Sequence, residues 1–397
     1  MRILYHHRTR AGDAQGIHIA ALCDALRALG HEVEVVALVR QARPAAPAAT
    51  DGAGKVAREG ASLFGLPVPA WFYELLALAY NVPGFFMLAA AVLRRRPDLI
   101  YERYALFTLC GRWVARLFGV PFVLEVNAPL SLELGQHGGL AFPRLARWLE
   151  TGLLSSSTRT VVVSQAMADV FVAQGVPAER MVVMHNGVDA AHFNPHIDAS
   201  ALRARYGLAD ACVVGFVGWM RPWHGVERLI DAVATLLPTC PDLRLLLVGG
   251  GPALPGLREQ VARLGIGQAV VFAGPLPAQE VPAHIAAMDV AVQPDVTGYA
   301  SPIKLFEYLA VGRAVVAPAR PNILEVVRDG DTALTFAPGD GAALAAALER
   351  LYRDPALRAR LGAAGAALID QRGYRWRSNA QRVVELVQPG RPAPQTP

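Results

Sequence analysis

Residues 301–318 have the sequence SPIKLFEYLAVGRAVVAP, and this stretch decides what kind of fold we expect. Ser301 is a residue type that caps helix N-termini, and Pro302 is favoured at a first helical position. The apolar positions that follow have helical spacing up to Gly312, a residue type that commonly ends a helix. Residues 314–317 then form a short apolar strand. A helix that leads into a buried strand is one unit of a parallel α/β sheet.

Lys304 marks this helix start as a candidate anion site. The backbone N–H groups of Ile303 to Leu305 are predicted to be free, and a basic side chain in a first helical turn opposes the helix dipole unless an anion binds there. Lys55 and Lys304 are the only two lysines of the chain, so Lys304 is either kept for a function or present by chance. Glu307 lies three residues further on and shares a helical face with Lys304.

Length and composition favour a folded protein of two domains. The chain has 397 residues, of which 53% are hydrophobic and 18% charged, and this suffices for two cores with large buried sheets. The net charge of +5 suits an anionic substrate or a membrane surface. No basic run with interleaved aromatics occurs, which argues against nucleic acid as a partner. The four cysteines lack metal-ligand spacing and predict reduced thiols in a cytoplasmic protein.

One apolar stretch raises the question of membrane contact. Residues 75–93 are strongly apolar and are followed by three arginines, Arg94 to Arg96. Asn81, Pro83 and Gly84 would interrupt a spanning helix near its centre. We therefore expect a buried helix, or a surface that lies on the membrane interface through its basic edge. The first residues of the chain lead directly into a strand and lack a signal-peptide pattern.

The first half of the chain alternates between strand and helix patterns. Arg2 to Tyr5 is a predicted strand, followed by a glycine loop and a helix that begins at Gly16, and this opens a doubly wound parallel sheet. The glycines are too sparse for the dinucleotide fingerprint. Asn127 follows the predicted strand 122–126 at the end where such sheets bind ligands, although a turn residue is the alternative. Residues 41–60 form a loop that either folds over an acceptor or is disordered.

The alternation restarts after an Asn-Gly turn at 186–187, so the second half is also a parallel sheet covered on both faces. The fold class is therefore α/β, with two Rossmann-like doubly wound parallel-sheet domains that face each other across a cleft. We predict a first domain over 1–195, a second over 196–372, a final helix over 375–388 that packs back on the first domain, and a disordered tail over 389–397.

Three motifs resemble the GT-B fold glycosyltransferases of family 4 (glycosyl transferases group 1), retaining enzymes that use nucleotide-sugar donors. HNGVD at 185–189, with Phe193 and Pro195, is similar to the family's interdomain signature. SPIKLFEY at 301–308 resembles its donor-binding helix. GWMRPWHG at 218–225 resembles its phosphate-contacting loop, in a Pro-Trp-His-Gly version that looks like a subgroup.

The resemblance implies a role for each matching position. Glu307 would bind the ribose hydroxyls of the donor, since a carboxylate suits a vicinal diol. Lys304, Arg221 and His224 would supply positive charge at the diphosphate. Asn127 would stand near the reacting centre, and it completes the predicted catalytic set. The other predicted donor-binding positions are Gly16 beside the diphosphate and acceptor, Gly249, Gly250, Phe272 and Gly274 around the nucleobase, and Gly218, Trp219, Tyr299, Ser301, Pro302, Ile303 and Leu305.

The chain departs from the family pattern at several of these positions. Tyr299 stands where the first glutamate of a pair normally contacts the transferred sugar. Trp219 and His224 stand in place of the usual arginine and lysine of the phosphate loop. Asn127 replaces a histidine that many members carry near the reacting centre. The identity of the sugar therefore stays open.

These patterns predict a retaining, metal-independent hexosyltransferase that moves a hexose-type sugar from a nucleotide diphospho-sugar to an acceptor hydroxyl in cell-surface polysaccharide or glycolipid synthesis. The expected partners are the nucleotide sugar, a glycan or lipid-linked acceptor and, peripherally, the inner face of the cell membrane. No cofactor, metal or nucleic acid is expected. The alternatives are a GT-B fold nucleotide-sugar epimerase and a non-catalytic subunit of a polysaccharide assembly complex.

Overall fold

The computed structural model describes residues 1–8, 14–37, 62–63, 66–67, 69–136 and 138–387. These residues form two compact units. Among the described residues, the first unit runs up to His185 and includes 376–387, and the second runs from Asn186 to Arg375. The predicted mobile loop 41–60 and the predicted tail 389–397 lie outside the described residues.

In the described part of the first unit the strands are β1 (Arg2–His7), β2 (Glu32–Ala37), β3 (Ser62–Leu63), β4 (Leu66–Pro67), β5 (Leu99–Arg103), β6 (Phe122–Val126), β7 (Arg159–Val162) and β8 (Met181–Val183). Six of them form one sheet in the order β2-β1-β5-β6-β7-β8, and every neighbouring pair is parallel. The order reverses between β1 and β5, which makes this pair a topological switch point. The sheet is flanked by the helices α1 (Ala14–Ala28), α2 (Ala70–Ala79), α3 (Asn81–Arg95), α4 (Cys110–Phe118), α5 (Leu130–Gln136), α6 (Pro143–Ser156) and α7 (Gln165–Val172).

The apolar stretch folds as two consecutive helices, α2 and α3, that meet at Tyr80. Asn81 is buried at this junction, where its amide donates to the carbonyls of Leu78 and Phe107 and its carbonyl accepts from the first N–H groups of α4. Within the described chain, Ala70–Arg95 is the one helical stretch whose length and composition would suffice to cross a membrane, and 39% of its most apolar part is buried in the protein.

The second unit repeats the design with six parallel strands: β9 (Cys212–Val217), β10 (Leu243–Val248), β11 (Val270–Gly274), β12 (Val290–Val292), β13 (Ala314–Pro318) and β14 (Leu334–Phe336). Their order is β11-β10-β9-β12-β13-β14, the doubly wound order with its switch point between β9 and β12. The parallel α/β prediction is therefore confirmed for both halves. The sheet is flanked by the helices α8 (Ser200–Arg205), α9 (Val226–Leu236), α10 (Leu254–Arg263), α11 (Val281–Ala286), α12 (Ile303–Ala310), α13 (Pro321–Leu324), α14 (Gly341–Arg353) and α15 (Pro355–Gln371). The last helix, α16 (Trp376–Glu385), belongs to the first unit and packs against α1.

Candidate active site

The candidate site of the second unit lies at its switch point, where the loops after β9 and β12 diverge from each other. Ligands of open parallel sheets bind in the crevice that this divergence leaves at the carboxyl ends of the strands. A pocket of ≈ 200 Å³ occupies this place and is lined by residues of both loops and by the start of α12. Lys304 and His224 are among its walls, so the structure brings two of the predicted catalytic residues together.

Three glycines let the strand ends of β9, β10 and β11 approach one another. The N–H of Gly218 donates to Val248 O at 2.9 Å, and the N–H of Gly249 donates to Gly274 O at 2.8 Å. All three glycines have positive φ values, +144° at Gly218, +124° at Gly249 and +76° at Gly274. A Cβ on Gly249 would lie 2.1 Å from the carbonyl oxygen of Gly218, so only glycine fits there.

We expect Gly249→Ala to lower the free energy of unfolding by about 3 kcal/mol or more, because its new Cβ meets rigid backbone. Gly274→Ala is the matched control, since it has a positive φ but nothing within 4 Å of the added Cβ. The free energy of unfolding of this control should fall by only about 1 kcal/mol, because the added side chain strains the backbone but meets no neighbour. Urea unfolding measures both variants, and equal losses would contradict the role of close packing at Gly249.

The start of α12 differs in detail from the sequence prediction. Pro302 occupies the N-cap position and the helix begins at Ile303, so the assignment of Ser301 as N-cap and Pro302 as first helical residue was wrong. Ser301 instead holds Asn186, whose side-chain amide donates to Ser301 O at 2.6 Å. The N–H of Leu305 is also not free, because it donates to Pro302 O at 3.0 Å. The anion-facing donors that remain at this helix start are the N–H groups of Ile303 and Lys304.

Lys304 is a desolvated cation, and no ion pair engages it within the described chain. Its ammonium nitrogen lies 4.1 Å from the centroid of the Phe216 ring, a cation–π contact. Gly218 makes room for it, since a Cβ there would lie 2.7 Å from Nζ. Burial lowers the pKa of Lys304 to about 7, and the nearby Glu307 only partly opposes this shift. A bound anion would restore the charge.

Glu307 is the acidic counterpart on the same helix. Burial raises the pKa of its carboxyl to about 7 despite the opposing charge of Lys304. The two side chains share a helical face but form no ion pair in the described structure. Both groups therefore have hydrogen-bonding capacity left for a ligand, with a donor at Lys304 and an acceptor at Glu307.

His224 was predicted as a cation, and the structure corrects this. Burial, with smaller contributions from Lys304 and Arg221, lowers the pKa of the imidazole to about 3, so the ring is neutral at pH 7. A hydrogen bond to the Trp219 carbonyl acts in the opposite direction. Nδ1 of His224 and Nε1 of Trp219 are both buried without a hydrogen-bond partner among the described residues. A ligand is the simplest partner for such atoms.

Arg221 and the predicted nucleobase residues lie on the same side of this sheet. The Arg221 guanidinium is mostly buried and stacks 4.9 Å from the centroid of the exposed Trp223 ring. A Cβ on Gly250 would lie 3.2 Å from the Trp219 ring, so this glycine lets the indole pack on the backbone. One face of Phe272 is covered by the guanidinium of Arg258 at 4.4 Å.

The loop that carries Tyr299 is anchored by residues that the sequence did not single out. Asp295 pairs with Arg228 at 2.7 Å and with Arg320 at 2.8 Å. Asn322 donates to the carbonyls of Thr297 and Ala300 and so holds the turn that contains Tyr299. The available sequence signal was the polar pair Gln293 and Asp295, directly after the short apolar run 290–292, but polar residues after a strand are common in turns.

Gly16 and Asn127 belong to the first unit. Gly16 lies inside the first turn of α1, which begins at Ala14, two residues before the predicted helix start. Asn127 donates to the carboxylate of Glu125 at 2.7 Å. Glu125 is buried and also contacts Arg103 at 2.7 Å and His18 at 3.1 Å, which hold the pKa of its carboxyl far below the usual range. Asn127 is thus tied to a buried charge network that the sequence did not predict.

A second buried cluster, His6, Glu102 and Cys110, contains three candidate metal-ligand atoms within 4.8 Å of one another. Cysteine spacing could not indicate it, because its members lie on three elements. His6 contacts Glu102 at 2.5 Å and the Tyr80 hydroxyl at 2.9 Å, so its two ring nitrogens already have partners. Burial raises the pKa of the Cys110 thiol to about 12, which disfavours the thiolate that a metal would need.

The architecture defines the class of protein. HepE from Anabaena in complex with UDP superposes with a TM-score of 0.74 at 21% identity, over 97% of this chain and 99% of that one. The same protein in complex with UDP-glucose superposes with a TM-score of 0.72 at 22% identity, over 97% of this chain and 98% of that one. The two parallel six-stranded sheets are therefore those of the GT-B fold.

Sequence comparison identifies the family within this class. A model described as "Glycosyl transferases group 1" matches residues 211–354, and one described as "Glycosyl transferase 4-like domain" matches residues 14–187. A GDP-mannose-dependent alpha-(1-6)-phosphatidylinositol monomannoside mannosyltransferase of Mycolicibacterium smegmatis is 35% identical over 70% of this chain and 77% of that protein. A D-inositol 3-phosphate glycosyltransferase of Frankia alni is 31% identical over 94% of each chain. The chain belongs to the glycosyl transferases group 1 family and is a glycosyltransferase.

Proposed function

We propose that this glycosyltransferase moves a hexosyl group from a nucleotide diphospho-sugar to an acceptor hydroxyl. The observation that carries the proposal is Lys304, a desolvated ammonium at the switch point of the second sheet that forms no ion pair with any described residue. A diphosphate supplies the missing negative charge. Glu307, on the same helix, is the acceptor for the ribose hydroxyls of that nucleotide.

The chemistry follows from where charge develops. When the bond between the anomeric carbon and the diphosphate breaks, negative charge builds on the phosphate oxygens. Lys304, Arg221 and the N–H groups at the start of α12 stabilise it electrostatically, and His224 adds a neutral imidazole beside them. We propose retention at the anomeric carbon with no protein nucleophile, the leaving phosphate taking the acceptor proton. These cations offset part of the charge on the diphosphate, and we propose that the step uses no metal.

We propose that the Pro-Trp-His-Gly loop binds the diphosphate and that its sequence marks a subgroup of the family. Trp219 and a neutral His224 stand in place of the usual arginine and lysine of the phosphate loop, so the stacked Arg221 and above all Lys304 are left as cations. The named relatives support a hexosyl donor and a lipid-linked or glycan acceptor, since one is a mannosyltransferase acting on a phosphatidylinositol monomannoside. We therefore propose cell-surface glycolipid or polysaccharide synthesis as the setting.

We further propose that the first unit docks on an anionic membrane at the cytoplasmic side. Val82, Phe86 and Leu93 are exposed and have the spacing of a single face of α3. Trp113 and Leu117 extend this apolar surface on the neighbouring helix α4. Exposed arginines at the end of α3 and on α4 suit acidic headgroups; they are Arg94, Arg95, Arg96 and Arg116, of which Arg94 and Arg95 also pair with Glu34.

Phe86→Glu is expected to lower binding to vesicles that contain an anionic phospholipid by about tenfold or more, because it removes a large apolar contact and adds repulsion. The measurement is flotation at low salt, with neutral vesicles for comparison. Leu324→Glu, an equally drastic change at an exposed leucine of the second unit, should bind like the wild type. Wild-type protein that fails to float with anionic vesicles would contradict the proposal.

Calorimetric titration with UDP and with GDP tests the donor site directly. Micromolar binding of one of them by the wild type, weakened in Lys304→Ala, supports the nucleotide-sugar proposal. A nucleotide-sugar epimerase would bind the same ligands but consume the donor without an acceptor. A non-catalytic assembly subunit would bind neither, and its thermal midpoint would be unchanged by nucleoside diphosphates.

A further inference from the structure

The pocket at the switch point has more hydrogen-bonding groups in its wall than a diphosphate alone would use. Its ≈ 200 Å³ are lined by Trp223, His224, Gln293, Val296, Thr297 and Lys304, together with Ala300 and Pro302. Lys304 supplies the only cation of this lining. The role of the usual sugar-contacting glutamate is unfilled, because Tyr299 stands at that position.

Gln293 has an unpaired acceptor in the wall of this pocket. Its side chain is buried, and its Nε2 donates to the main-chain oxygen of Asp295 at 2.5 Å. Reversing the amide would place two oxygens against each other, so this contact fixes the orientation. Oε1 is then left buried and without a hydrogen-bond partner among the described residues. An unsatisfied buried acceptor costs about 1–3 kcal/mol, which a ligand hydroxyl would recover.

His224 has a second unpaired acceptor in the same wall. The ring is neutral and hydrogen-bonds to the Trp219 carbonyl, while Nδ1 has no partner within the described structure. In the tautomer that carries its proton on Nε2, Nδ1 has a free lone pair and can accept a hydrogen bond. Two acceptors that lack donors, next to one cation, suit a ligand that presents hydroxyl groups beside a phosphate.

We propose that Gln293 is a specificity-determining residue whose Oε1, together with Nδ1 of His224, accepts hydrogen bonds from hydroxyl groups of the transferred sugar. This inference rests on the proposed function and deepens it. The pocket then selects a neutral polyhydroxylated ring, since the lone pairs of both acceptors oppose the carboxylate of an acidic sugar. Gln293 thus takes over sugar recognition from the glutamate that Tyr299 replaces.

Titration of Gln293→Met against matched ligand pairs tests this assignment, with UDP and UDP-glucose in one series and GDP and GDP-mannose in the other. Methionine keeps the length and volume but removes the acceptor. We expect the nucleoside diphosphate of the pair that binds the wild type to keep its affinity within about twofold, and the nucleotide sugar to bind about tenfold or more weakly. An unchanged nucleotide-sugar affinity, or an equal loss for both ligands, would overturn the proposal.

Ala300→Leu provides a second variant that does not remove a buried hydrogen bond. Its larger side chain fills the pocket and should exclude the sugar while nucleoside diphosphate binding persists; Ala342→Leu, at an exposed position of α14, is the control. Nucleotide-sugar binding by Ala300→Leu at wild-type strength would place the sugar elsewhere and contradict the assignment. Wild-type protein that binds neither UDP nor GDP would instead reject the proposed function itself, so the two failures are distinguishable.

Discussion

Lys304→Ala is expected to lower the rate of glycosyl transfer by about a thousandfold. Removing one preorganised charge donor from a site where negative charge develops typically costs a factor of ~10²–10³, and Lys304 combines the donor with the central positive charge of its pocket. The neutral His224 cannot replace it. The rate is measured as nucleoside diphosphate released in the presence of acceptor.

The same substitution should leave the fold intact. Lys304 has no ion pair in the described chain, and burying its charge is unfavourable, so its removal costs only the contact with the Phe216 ring. The thermal midpoint of Lys304→Ala should therefore equal or exceed that of the wild type. Arg353→Ala, which removes an exposed cation of the same unit, is the matched control and should keep full activity. A Lys304→Ala variant with near-normal turnover would contradict the role of this lysine.

Glu307→Gln is expected to weaken nucleoside diphosphate binding by about tenfold to a hundredfold while it stabilises the free protein at pH 8. The loss in affinity arises because a neutral amide accepts hydrogen bonds from the ribose hydroxyls less strongly than a carboxylate does. The gain in stability arises because an ionised, buried carboxylate is removed. Titration calorimetry and thermal unfolding measure the two effects separately.

The pH dependence of this gain has a definite sign. Burial raises the pKa of Glu307 from an ordinary 4.5 to about 7, so the folded state holds the proton more tightly than the unfolded state. The wild type therefore loses stability as the pH rises from about 4.5 to about 7, the range in which the unfolded state releases a proton that the folded state still holds. The pKa of Lys304 is also lowered to about 7, so at pH 8 little positive charge remains to compensate.

The gain in stability of Glu307→Gln over the wild type should therefore be largest at pH 8 and vanish near pH 4.5. Each ~1 kcal/mol gained in the free energy of unfolding would appear as a rise of about 2–4 °C in the thermal midpoint. Glu349→Gln, at an exposed glutamate on α14, should show neither effect. A midpoint difference that grows toward acid pH would contradict the assignment of the raised pKa to Glu307.

The regular part of the fold was predictable because short apolar strands of a parallel sheet, buried on both faces, stand out from the helices between them. The strand predicted at 122–126 has these bounds in the structure. The last strand, Leu334–Phe336, was missed because the polar Thr335 interrupts its short apolar run. Helix α4 begins only at Cys110, since Phe107 just before it has a φ of +66°, which no sequence pattern indicates.

Lys304 and Glu307 could be singled out because they share a helix, where sequence spacing fixes geometry. The neutrality of His224 could not be predicted, since it depends on burial and on the nearby Lys304. The free oxygen of Gln293 depends on a turn that is held in place by Asp295 and Asn322. Such features arise from tertiary packing between separate loops, and sequence patterns carry little information about them.

The most direct test of nucleotide-sugar glycosyl transfer is the release of nucleoside diphosphate from a panel of donors that includes UDP-glucose and GDP-mannose. Wild-type protein, Lys304→Ala and Arg353→Ala are incubated with each donor and a lipid or glycan acceptor. We expect one donor to be consumed by the wild type and by Arg353→Ala, and about a thousandfold more slowly by Lys304→Ala. Equal consumption by Lys304→Ala, or no consumption of any donor together with no binding of UDP or GDP, would contradict the assignment.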